Sequence, residues 1–132
     1  MGNNYYCKVK GYLLELGFNI TFEDELDCVF VVENEGMGIK NLVIGCTDPL
    51  LIMEQYLLDL PHDSPEVYKS LLQKNRDIIH GAFVLDESGR KVIFRDTLQI
   101  ETLDLCEIEA CFNSLSLLLS EYADQLIKFS KH

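Results

Sequence analysis

Pro49-Leu-Leu-Ile-Met-Glu-Gln-Tyr-Leu-Leu-Asp-Leu-Pro61 decides how this 132-residue chain folds. On propensity alone, residues 50–58 would make a helix. Prolines bracket the segment, however, and each interrupts a helix or a strand ladder where it stands. The eleven residues between them suit one long strand, so the segment is read as a strand.

Working back from Pro49, three further strands precede it. Asn41 to Cys46 is a strand that Asp48-Pro49 interrupts. Cys28 to Val32 is a second such run, and Glu33 to Gly38 between them carries Asn34, Gly36 and Gly38, which reads as a loop. Phe18, Ile20 and Phe22 alternate with Asn19 and Thr21, the pattern of a half-buried strand, with Glu23-Asp24-Glu25 as the turn. Before them, Tyr5, Val9, Tyr12, Leu13 and Leu16 recur at helical spacing over residues 4–16. Gly17 stands where a helix ends.

Forward from Pro61, Ser64 is a good N-cap and Pro65 falls at the first helical position. Val67, Leu71, Leu72, Ile78 and Ile79 predict a helix ending near Gly81. Residues 82–85 and 91–95 then flank a glycine-containing connection, a hairpin. The last helix spans residues 105–129, with Asp104 and Glu107 in a capping-box pattern. Ile108, Phe112, Leu115, Leu119, Tyr122, Leu126 and Phe129 form its stripe, widened by Cys111 and Leu118. A stripe that wide packs on a sheet rather than in a coiled-coil seam. The reading is one domain over residues 1–132, an α+β fold with an antiparallel sheet and flanking helices in the order α-β-β-β-β-α-β-β-α.

Composition narrows the function. Eleven Lys and Arg face 22 Asp and Glu, a net charge of -11. Such a surface repels phosphate backbones and anionic bilayers, so neither nucleic acid nor membrane is an expected partner. No apolar run approaches the roughly 18 residues that span a bilayer, and Met1-Gly2-Asn3-Asn4-Tyr5 resembles neither a signal peptide nor a myristoylation site. A cytoplasmic location is expected. Cys7, Cys28, Cys46, Cys106 and Cys111 are then expected to be free, buried thiols.

Little in the chain asks for chemistry. His62, His80 and His132 are isolated, and Cys106 and Cys111 point to different sides of a helix, so no metal is expected. Gly36-Met37-Gly38 joins two strands and lacks the lysine of a phosphate loop. The acidic candidates lie in turns (Glu23, Asp24, Glu25), where carboxylates are solvated, or on a strand end (Glu33, Glu35). No catalytic residue and no cofactor is expected. A cleft gathering His80, Glu54 and Cys46 would instead point to an enzyme. The adjacent pair Arg95-Asp96 is read as bracing for the hairpin against the last helix.

Asn41-Leu-Val-Ile-Gly-Cys-Thr-Asp-Pro-Leu-Leu-Ile-Met-Glu-Gln-Tyr56 resembles the YbjN-like family. So do Leu71-Leu-Gln-Lys-Asn75, His80-Gly-Ala-Phe-Val-Leu-Asp86 and Phe94-Arg-Asp-Thr-Leu98. These bacterial proteins are labelled sensory transduction regulators or Tir-chaperone-like proteins. The resemblance runs from about Phe18 to Phe129 and implies the fold of class I type III secretion chaperones. Those are small, acidic homodimers that hold an extended client segment.

Together these readings favour a non-catalytic protein-binding homodimer, chaperone-like or adaptor, whose partner is another protein, extended or partly unfolded. A sheet face or edge and the first helix would carry the partner, with Tyr5, Tyr6, Tyr12, Met53 and Tyr56 as contact residues. The alternative is a signalling regulator that binds a small ligand or a phosphorelay component.

Overall fold

A computed structural model describes residues 3–131; Met1, Gly2 and His132 lie outside it, and with them the isolated terminal histidine. The elements are α1 (Asn3–Glu15), β1 (Asn19–Asp24), β2 (Val29–Asn34), β3 (Ile39–Thr47), β4 (Leu50–Asp59), α2 (Pro65–Asn75), β5 (Ala82–Leu85), β6 (Lys91–Gln99) and α3 (Leu105–Lys131). The strands form one antiparallel sheet in the order β1-β2-β3-β4-β6-β5.

The segment 50–59 is a strand, and its burial shows why. Leu51, Met53 and Gln55 are buried while their neighbours are not, a period of two. It pairs with β3 through Cys46 and Leu51 and with β6 along its length. A register shift between Tyr56 and Leu58 moves the phase by one residue, so Leu58 and Leu60 turn back into the core. A similar shift between Ile20 and Phe22 interrupts the alternation of β1, which leaves Phe22 exposed instead of half-buried.

Strand pairing sorts every side chain to a face. Phe30, Leu42, Ile44, Leu51, Met53 and Phe94 share the core face and meet the apolar stripes of the helices. Tyr6 of α1 stacks on Phe30, Phe112 of α3 packs on Phe18, and Tyr122 of α3 meets Phe83. Within α3 the buried residues are Ile108, Cys111, Phe112, Leu115, Leu118 and Leu126.

The caps hold as the residues require. Ser64 Oγ accepts from Val67 N at 3.4 Å and Asp104 from Glu107 N at 2.8 Å. The second helix is shorter than its apolar spacing predicts. It stops at Asn75, and Ile78 and Ile79 follow in the connection to β5, Ile79 almost fully exposed.

Two expectations fail. The register sets Cys28 opposite Cys46, with Cα atoms 5.4 Å apart, and the two form a disulfide. Cys7 and Cys106 are exposed, so of the five only Cys111 is a free, buried thiol. Arg95 and Asp96 do not act as a pair, because successive strand residues face opposite ways. Arg95 instead bonds Glu54 across the β4–β6 ladder.

Candidate protein-binding surface

The helices and the core lie against one face of the sheet. On the other face no strand residue is buried: Val29, Val31, Ile52 and Ile93 are half-buried, while Val43 and Tyr56 are 43% and 52% exposed. The Glu54–Arg95 ion pair stands among them. Lys91 bridges to Asp59 at 3.1 Å and lies 5.1 Å above the Tyr56 ring. An open, largely apolar sheet surface of this kind marks an interaction site.

A second apolar region follows the helices at the β5 end. Leu72, Ile79 and Leu117 are 70%, 88% and 64% exposed. Ile79 and Leu117 line a groove of about 400 Å³ between residues 77–80 and α3. Leu72 lines a smaller one of about 240 Å³ between α2 and β5. Exposed apolar side chains grouped in this way mark interaction sites more often than isolated ones do.

The five expected contact residues are dispersed. Tyr6 and Met53 are 8% and 1% exposed. Tyr5 and Tyr12 are half-buried against the core, and the Tyr12 hydroxyl donates to the Leu103 carbonyl at 3.4 Å. Tyr56 alone stands on the open face. Tyr6 also donates to Glu23, which Lys10 approaches at 2.9 Å. These two donors, Tyr6 before Lys10, hold the Glu23 carboxyl below its usual range.

The three residues that would signal an enzyme are apart. Glu54 is on the open face, Cys46 is in the disulfide, and His80 lies in the connection before β5 beside α3. His80 instead meets Asp96 and Cys111 on the helix side, an arrangement sequence reasoning missed. The available signal was Asp96, a carboxylate in phase with Val92, Phe94 and Leu98 on the core face of β6. Burial pushes the Cys111 thiol far above its usual range, and the nearby Asp96 carboxylate adds to this.

No helix among the described residues is long and apolar enough to cross a membrane. A comparison with curated proteins found no match. Among solved structures, YbjN from E. coli aligns with a TM-score of 0.68 at 14% identity, over 91% of this chain and 92% of that one. The SchA chaperone of the HopA1–SchA chaperone–effector complex gives 0.62 at 15% identity, over 100% and 98%. The Yersinia pestis type III secretion chaperone SycH, solved with a fragment of YscM2, gives 0.54 at 16%, over 96% and 99%. At such identities these likenesses show the secretion-chaperone fold. The CesT_Tir_1 family model matches residues 2–132, and the chain belongs to that family.

Proposed function

We propose that this chain is a non-catalytic, chaperone-like or adaptor module that holds an extended or partly unfolded segment of a client protein, acting in the cytoplasm as a homodimer. The observation that carries the reading is the sheet face without a covering layer, apolar around the Glu54–Arg95 pair, with Val43 and Tyr56 exposed on it. An extended segment matches such a face because its alternate side chains reach one surface. The fold is that of SchA, which was solved in a chaperone–effector complex.

The test has two stages. Capture of the tagged protein from its own cells, with mass spectrometry, identifies a recurrent partner. Titration calorimetry with that purified partner then compares the wild type with the Val43→Asp/Tyr56→Asp variant. At least a tenfold loss of affinity is expected, about 1.4 kcal/mol. Equal affinity in both proteins would remove the open face from the proposal. Met53→Ala is a poor probe, because it empties a core site and costs about 2–5 kcal/mol of stability.

A signalling regulator with a small ligand is the second reading. The groove of about 400 Å³ beside α3 favours it, being apolar with His80, Asn113 and Ser114 on its wall.

A further inference from the structure

Asp96 is out of place by the rules that arrange the rest of β6. Val92, Phe94, Asp96 and Leu98 share the core face, and Val92 and Phe94 are fully buried. The Asp96 Oδ1 atom accepts from Thr97 N at 2.8 Å. Its Oδ2 atom is buried, and no nitrogen or oxygen donor reaches it. No lysine or arginine among the described residues forms an ion pair with it. Buried polar atoms are nearly always partnered, because leaving one bare costs the desolvation of the group.

The neighbours of Asp96 are a donor set. His80, Asp96 and Cys111 each bring a ligand-type atom, and all three atoms lie within 4.8 Å of one another. They come from the α2–β5 connection, β6 and α3, and the backbone at His80 is held in place. Ser114 of α3, one turn beyond Cys111, donates to the His80 carbonyl at 2.8 Å and ties the connection to the helix. Gly81 follows with φ +86°, and a Cβ there would run into the Phe94 ring and approach the Arg95 carbonyl to 3.2 Å. The backbone beside His80 can therefore lie close on β6 only because residue 81 is glycine.

We propose that His80, Asp96 and Cys111 form a binding site for one divalent transition-metal ion of borderline softness, zinc foremost. Imidazole nitrogen, carboxylate oxygen and thiolate sulfur together suit zinc, and not calcium or magnesium, which take oxygen ligands. Around a tetrahedral zinc such donors stand roughly 3.3–3.8 Å apart, so a side-chain adjustment of about 1 Å completes the set. Water from the groove that His80 lines takes the fourth position. Binding releases the Cys111 thiol proton to solvent and leaves the thiolate on the metal, with no redox change. The ion would tie α3 to the α2–β5 connection and give the buried Asp96 Oδ2 a cationic partner.

The experiment uses the full chain, treated with a chelator and titrated separately with zinc(II) and cobalt(II). The expected result is one cobalt per chain, a thiolate-to-cobalt charge-transfer band and a rise in Tm with zinc. Cys111→Ser should abolish the band, and Cys106→Ser should leave it intact. His80 is half-exposed, so His80→Gln should fold normally and bind zinc at least roughly tenfold more weakly. The site is overturned by absent stoichiometric binding at micromolar metal, by a band that survives Cys111→Ser, or by undiminished zinc affinity in His80→Gln. The last readout holds even where Cys111→Ser does not fold.

Discussion

Asn75 closes the β5 edge with one carboxamide. Its Nδ2 donates to the Phe83 carbonyl at 3.1 Å and its Oδ1 accepts from Phe83 N at 2.8 Å, as a neighbouring strand would. An edge left bare is a template for unwanted pairing. Asn75→Ala removes both bonds and should cost about 1–3 kcal/mol in urea unfolding. Asn75→Asp keeps the acceptor but sets a second carboxylate oxygen against the Phe83 carbonyl, so it should not restore the loss. Glu23 does comparable work between α1 and β1 through Tyr6 and Lys10. Its folded pKa lies below the ordinary 4.5. The stability it contributes is therefore present above that value and is lost as pH falls through the folded pKa. Thermal melts from pH 6 to pH 3 should show a smaller loss in Glu23→Gln than in wild type; parallel curves would deny the linkage. The asparagine was visible beside its paired leucines in the sequence. Its partner was not, because a side chain that bonds backbone leaves no mark on the residue it serves.

At the scale of elements, the strand reading of residues 50–60 follows from the flanking prolines, and the period-two burial of Leu51, Met53 and Gln55 agrees with it. The register shifts were not legible, since a bulge depends on the neighbouring strand as much as on its own residues. They decide that Phe22 is exposed and that Leu58 is buried. The helix cap at Ser64 and the capping aspartate at 104 were legible because caps are local. The end of α2 was not, because Ile78 and Ile79 continue an apolar pattern past Asn75. Gly81→Ala tests the turn that follows. Its positive φ and the Phe94 ring both oppose a Cβ, so a loss of about 1–3 kcal/mol is expected by chemical denaturation. Gly11 sits in α1 with open space around it, so Gly11→Ala should stabilise by about 0.5–1 kcal/mol in the same assay.

For the whole molecule, all the core is on one side of the sheet, and the open face and the apolar rim at Leu72, Ile79 and Leu117 are left uncovered. A homodimer has twice the 15.1 kDa chain mass, and light scattering at micromolar concentration should find it. A mass that stays at the single-chain value would remove the dimer from the proposal. The amino-acid sequence by itself determined the element order, the strand at 50–60, the caps and the acidic surface. Those depend on residues near one another in the chain, or on simple totals. Only the tertiary structure decided which side chains share a face. It placed Met53 and Tyr6 inside and Tyr56 outside, joined Cys28 to Cys46, turned Asp96 inward and Arg95 outward, and brought His80 and Cys111 to the same carboxylate. Each of these depends on strand register and helix placement, and residues far apart in the chain set both.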